Sequence, residues 1–159
     1  MIKKAENHHF ITAMPDTGFC EKWDDLLQNA RLASHYVTPD FFADPFVGEG
    51  ERFAVFAMEG DRVDAVLTGL RFKNTITSGL PVRPQIAFRD GIDQAAADAL
   101  VRGVHSFDAR QSTLIRLYSW KQIPGSARLG YDHEVCTGGD QVVMLDPGRG
   151  PEPLFTEFS

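Results

Sequence analysis

The chain has 159 residues, of which 43% are hydrophobic and 24% charged, with 12 Phe as core material; this excludes wholesale disorder and suits one core that buries roughly two thirds of the unfolded surface. Acidic residues outnumber basic ones 22 to 16, for a formal charge of -6, and such a field repels polyanions, which argues against DNA as a partner. No run approaches the ~20 apolar residues of a membrane span, and no signal-type apolar region follows Lys3 and Lys4, so a cytoplasmic location is expected.

His8 to Met14 reads as a first strand closed by Pro15. Asp16 or Thr17 then caps a helix whose apolar residues Phe19, Trp23, Leu26, Leu27 and Ala30 recur at helical spacing. Thr38 followed by Pro39 is the cap and first position of a short helix, which Pro45 stops. Arg52 to Met58 and Val63 to Phe72, rich in β-branched and aromatic residues and joined by Glu59-Gly60-Asp61, predict an antiparallel hairpin.

Thr75 to Ser78 and Val82 to Phe88 extend the sheet, with Gly79 and Pro81 between them. From Ile92 the period changes. Ile92, Ala96, Leu100, Val104 and Phe107 form one stripe of a helix of about 15 residues, with Asp90 placed as its cap. Ser112 to Trp120 reads as a strand at least half buried, and a short helical or irregular stretch at Ser126 to Leu129 precedes a closing hairpin of Asp132 to Thr137 with Gln141 to Asp146. The fold class is therefore α/β (α+β), a mixed, largely antiparallel sheet flanked by helices.

No motif of nucleophilic or metal chemistry is complete. His8 and His9 alternate across a strand and read as a surface pair, and in Asp132-His133-Glu134 the His points away from its neighbours if the segment is extended. Cys20 and Cys136 lie far apart without ligand spacing and read as reduced thiols. Ser34, Ser112 and Ser126 lack a nucleophile elbow, and Gly48-Glu49-Gly50 and Gly148-Arg149-Gly150 lack a strand-to-helix setting. Arg62, Arg71, Lys73, Arg83 and Arg89 are expected on solvated strand faces. Tyr118-Ser119-Trp120-Lys121 places aromatics and a cation at a strand end, a composition that can line a small-molecule cleft.

The element order, with Trp23, the segment Thr38 to Phe42, the hairpin Phe53 to Leu70 and the ending Val142 to Asp146, resembles the GNAT fold and, within it, the amino-terminal lobe of FemAB-like acyltransferases. That resemblance spans nearly the whole chain. It implies a GNAT-like domain over residues 1–147 and a tail, 148–159, that begins a second lobe or seeks a partner through Leu154, Phe155 and Phe158. It also implies transfer of an acyl or aminoacyl group to an amine, with an acyl-CoA or aminoacyl donor bound only when a second lobe completes the site.

GNAT enzymes hold the pyrophosphate of acetyl-CoA on a Q/R-x-x-G-x-G/A turn before the long helix. Here the turn reads Phe88-Arg89-Asp90-Gly91-Ile92-Asp93, a degenerate CoA site with one glycine. An Asp90 cap would occupy the amides and oppose a phosphate, with Arg89 partly offsetting its charge. The resemblance implies Arg89, Tyr118 and Trp120 as cleft-lining residues and assigns no catalytic base. A non-enzymatic interaction module on the same fold is the alternative.

Overall fold

The computed structural model describes residues 8–12, 16–30, 32–44, 49–80, 83–91, 94–109 and 114–119. In chain order these form β1 (His8–Thr12), α1 (Thr17–Gln28), a single 3-10 turn (His35–Val37), α2 (Pro39–Ala43), β2 (Glu51–Glu59), β3 (Arg62–Phe72), β4 (Thr75–Ser78), β5 (Ile86–Phe88), α3 (Gln94–Asp108) and β6 (Leu114–Leu117). The expected short helix after Pro124 and the closing hairpin lie outside the described residues, as do Trp120, Cys136 and the tail.

The caps follow from side-chain chemistry. Asp16 accepts from the Phe19 N–H at 2.9 Å, and Thr38 accepts from the Phe41 N–H at 3.2 Å with Pro39 at the first helical position. Each satisfies one backbone donor that the first helical turn leaves without a partner.

The strands make one sheet in the order β1-β2-β3-β4-β6, with β5 also paired to β3. Every pairing is antiparallel except that of β4 with β6. In the middles of β2 and β3, Phe53 to Met58 and Val63 to Gly69, every residue is buried, because the sheet is covered on both faces and alternation sends successive side chains into two cores. Under α3 lie Phe53, Val55, Ala57, Ala65, Leu67 and Ile76 with Ala96, Leu100 and Val104 of the helix. On the opposite face Trp23 and Leu26 of α1 and Phe42 of α2 pack on Phe56, Val63 and Val66. Trp23 meets Phe56 edge-on at 5.1 Å between ring centroids. This is a GNAT-like mixed, largely antiparallel sheet flanked by helices.

β6 is half buried, as its composition led one to expect: Ile115 and Leu117 face the α3-side core while Leu114 and Arg116 are exposed. Of the α3 stripe, Ala96, Leu100 and Val104 are buried in that core and Phe107 packs against it, while Ile92 lies outside the described residues. Asp90 lies in the turn before the helix, and its backbone N–H donates to the Asn29 carbonyl at 2.9 Å, tying the turn to the end of α1.

α3 approaches the sheet closely at Gly103, where an added Cβ would stand 2.2 Å from Val55 Cγ1 and 3.2 Å from Phe10. Gly103→Ala gains about 1 kcal/mol of helix propensity but forces a carbon into an occupied core, a cost of about 1–3 kcal/mol. Urea denaturation is expected to show a net loss of stability; a gain would mean that α3 rides higher on β2 than the packing indicates.

Candidate functional site

The site begins with an interruption in one strand line. β4 pairs with β3 up to Leu70 opposite Thr77, and β5 resumes on the same side of β3 with Leu67 opposite Ile86. The Thr68 N–H donates to the Gln85 carbonyl at 2.9 Å. By register Ser78 and Gln85 therefore stand opposite successive residues, Gly69 and Thr68, and the residues between them leave the sheet line.

They leave toward the α1 and α2 side. Leu80 and Arg83 exchange backbone hydrogen bonds, both 3.0 Å, closing a small hairpin. Ser34 Oγ donates to the Pro84 carbonyl at 2.8 Å, and the Arg83 guanidinium lies over the Tyr36 ring at 5.3 Å. Gly79 makes the exit possible. Its φ of 74° suits glycine, and an added Cβ would fall 2.6 Å from the Arg83 carbonyl oxygen.

The chain beyond β6, the parallel partner of β4, is described as far as Ser119. The Tyr118 N–H donates to the Ser78 carbonyl at 3.1 Å, the farthest-along bond between the two strand lines among the described residues. Beyond it, β5 pairs with β3 on one side and with no described strand on the other. A slot edge thus runs from Gln85 to the turn at Asp90, roughly 17 Å for five residues at strand rise.

The faces of this divergence differ. Ile76 and Leu117 belong to the α3-side core, so alternation turns Ser78 to the α3 side and Tyr118 to the other. On the Tyr118 side lies a shallow, open groove lined by Phe41, Phe42, Arg52, Thr68, Leu70 and Gln85. Arg52 Nη1 donates to the Phe42 carbonyl at 2.7 Å, holding α2 over its floor.

Tyr118 is half-buried beside the divergence, and Trp120 lies outside the described residues. Arg89 is at the far end of the slot, and its side chain turns to α1: Nη2 donates to Asp25 Oδ2 at 2.5 Å and to the Val63 carbonyl at 3.1 Å, and Nε is 3.5 Å from Asp64 Oδ1. Tyr118 and Arg89 therefore mark opposite ends of the slot and do not converge on one point.

A polar cluster that sequence reading missed surrounds Asp64, which is fully buried. Arg62 Nε donates to Oδ1 at 2.6 Å and Arg62 Nη2 to Oδ2 at 3.0 Å, while His8 Nε2 lies 2.9 Å from Oδ2. Asp64 is the extra residue where the β2–β3 register shifts, between Val63 opposite Met58 and Ala65 opposite Ala57. The one available signal was an acidic residue inside the apolar run Val63 to Leu67, two residues after an arginine. His8 is consequently tucked against Asp64 and not on the surface, while His9 is exposed. Of the basic residues expected on solvated strand faces, Arg62, Lys73 and Arg83 are exposed, while Arg71 and Arg89 are partly buried in ion pairs with Glu51 and Asp25.

Burial alone would raise the Asp64 carboxyl pKa, but hydrogen bonds from Arg62 and His8 and their charges outweigh it and hold it below the usual carboxylate value. Burial also raises the Cys20 thiol, further raised by Asp24, Asp16 and Asp40, so this free cysteine carries little nucleophilic thiolate. Among the described residues no group of three or more His, Cys, Asp or Glu is placed to hold a metal.

No protein-family model and no curated protein sequence matches the chain. Among solved structures it is similar to a GNAT family acetyltransferase of Staphylococcus aureus subsp. aureus USA300_TCH1516, with 11% identity and a TM-score of 0.51 over 84% of this chain and 99% of that one. An aminoglycoside acetyltransferase from an uncultured soil metagenomic sample aligns at 8% identity and TM-score 0.47, over 87% of this chain and 99% of that one. A transcriptional regulator from Bacillus halodurans C-125 aligns at 15% and 0.45, over 83% and 100%. The first likeness shows the fold, which is GNAT-like; the weaker two carry no argument.

Because the folded pKa of Asp64 is depressed, its ionised form adds stability at pH above the unfolded carboxylate value, about 4, and that stability is lost as pH falls through the lower folded value. Asp64→Asn is expected to cost about 3 kcal/mol at pH 7 by breaking the ion pair of a buried carboxylate with Arg62 and removing the charge that faces Arg89, and to flatten the acid limb of the stability curve below pH ~4. Denaturant titration across pH measures both, and an unchanged acid limb would assign acid sensitivity to other carboxylates.

Proposed function

We propose that the chain serves GNAT-type acyl transfer, from a thioester or ester donor to an amine. The observation that carries this reading is the outer edge of β5, which meets no described strand and runs from the Ser78–Tyr118 divergence to the turn before α3. An extended donor arm with amide groups can add to such an edge as a further strand. A pantetheine arm has those amides and a comparable length. Its reactive end would lie at the divergence, where the amine arrives from the groove of Phe41, Phe42 and Leu70.

Attack of the amine lone pair on the carbonyl carbon forms the C–N bond, breaks the C–S or C–O bond, and passes the nitrogen proton to a base. Tyr118, on the groove side of the divergence, is the residue we assign to protonate the leaving group. Arg89 is engaged with Asp25 and Val63, and the turn it opens has one glycine, Gly91. Pyrophosphate therefore gains little there, and donor affinity rests on the slot.

The FemAB-like form of this reading adds a second lobe that completes the donor site and docks on residues 148–159 through Leu154, Phe155 and Phe158. The cytoplasm is the compartment this reading assigns; no described helix is long and apolar enough to cross a membrane. The interaction-module alternative predicts no donor binding at all, so one titration separates the two.

Calorimetry with acetyl-CoA is expected to give a dissociation constant between about 10 μM and 1 mM, near -7 to -4 kcal/mol. Absence of binding at 1 mM would sink the donor reading, and a value below 10 μM would show a working pyrophosphate site. Truncation after Pro147 is expected to leave the thermal midpoint nearly unchanged and to reduce any self-association in sedimentation; unfolding on truncation would place the tail in the core and remove the docking role.

A further inference from the structure

The strand register builds the floor of the groove beside α2. Thr68 of β3 stands between Ala54 of β2 and, on its other side, Gln85, whose carbonyl takes the Thr68 N–H. Leu70 stands between Arg52 and Thr77, and Thr77 in turn stands beside Arg116 of β6. Ala54, Val66 and Ala87 belong to the core under α1 and α2, so alternation turns Arg52, Thr68, Leu70 and Gln85 to that side. Phe41 and Phe42 of α2 form the wall.

The polar groups on this floor are donors. Gln85 Oε1 accepts the Gly79 N–H at 3.0 Å; that N–H requires an acceptor, so the amide oxygen is fixed there and Nε2, with its two N–H groups, is the end left to the groove. Nε2 has no protein acceptor among the described residues, and the hydroxyl of Thr68, a residue 2% exposed on an otherwise apolar face, has no partner among them either. Arg52 brings a guanidinium to the same groove, anchored through Nη1 on the Phe42 carbonyl. No carboxylate is among the described lining residues. Arg83 on Tyr36 and the exposed Arg116 add positive charge around it, in a chain whose formal charge is -6.

We infer that the groove selects an acceptor amine that also carries a carboxylate on a small apolar body, a compound of the amino-acid class. This rests on the acyl-transfer reading and adds to it the class of the acceptor. The carboxylate accepts from Gln85 Nε2 and the Thr68 hydroxyl, which stand on neighbouring strand lines about 4.8 Å apart, and the Arg52 charge balances it. The apolar body lies against Phe41, Phe42 and Leu70. Hydrogen bonds to an ionised acceptor are about twice as strong as neutral ones, and an amine that lacks the carboxylate leaves these donors unpaired, which is the basis of strong discrimination. A second ammonium finds no counter-charge on this floor, so polycationic amines gain nothing from it.

The test is an NMR titration of the full chain at pH 7 with L-phenylalanine and with 2-phenylethylamine, which keeps the ring and the amine but lacks the carboxylate. L-Phenylalanine is expected to bind at least about tenfold more tightly. Gln85→Glu keeps an oxygen for the Gly79 N–H but sets a negative charge where the amide donor was; it is expected to weaken L-phenylalanine about tenfold and to leave 2-phenylethylamine equal or tighter. Thr68→Val, the same shape without the hydroxyl, is expected to weaken L-phenylalanine alone, by about fivefold. No binding of L-phenylalanine, equal wild-type affinities for the two probes, or indifference to both substitutions would overturn the inference, while acetyl-CoA binding would keep the donor reading standing. L-Phenylalanine bound as expected by a chain that takes no acetyl-CoA would overturn the acceptor role and the donor reading together, leaving a plain carboxylate site. The comparison of the two probes on the wild-type chain decides the question even where a variant fails to fold.

Discussion

The register of β3 against its neighbour allows no slack between Leu70 and Leu67. Thr77 and Ile86 must both pair with that strand, and the Thr68 N–H must find an acceptor, which Gln85 supplies. A buried backbone donor without a partner is costly. The surplus residues after Ser78 are therefore expelled sideways as a hairpin, not absorbed by shifting the strand. β6 pairs with β4 before the expulsion, and among the described residues no pairing with β5 follows it. The interruption of the strand line is thus a consequence of hydrogen-bond pairing on β3, and the groove beside Thr68, Leu70 and Gln85 takes its position from it.

The opposite end of the same strand is held by charge. Asp64 draws together Arg62 of β3, His8 of β1 and, at longer range, Arg89 after β5, and Arg89 in turn reaches Asp25 of α1. A carboxylate without exposure is tolerable only because its oxygens are met by donors. The cluster fixes the edge strand β1 and the exit of β5 relative to α1, so the turn entering α3 is anchored on two sides: by Arg89 and by the Asp90 N–H on Asn29. One end of the slot is rigid for electrostatic reasons and the other for backbone reasons.

Much of the fold was legible because local chemistry and tertiary structure agree. The Thr38-Pro39 start, the hairpin about Gly60 and the Ala96, Leu100, Val104 stripe each carry a signal that needs no distant partner. Val82 to Phe88 looked like one strand, yet among the described residues only Ile86–Phe88 pairs in register with β3, since β-propensity is blind to the length available between two fixed pairings. The engagement of His8 and Arg89 was not legible because Asp64, which both approach, is far from them in sequence. Tyr118 drew attention by composition, whereas the lack of a partner for the Ser78 hydroxyl among the described residues is something a sequence cannot express.

The two anchored ends also bear on how a donor would be held under the proposed reading. Arg89 opens the turn before α3, and its guanidinium is directed into the α1 contact, so recruiting it to a phosphate would leave Asp64 and Asp25 with unbalanced charge. The fold's own stability therefore opposes phosphate binding at that turn. Affinity must come from the slot edge and its inner end, or from groups that another lobe supplies.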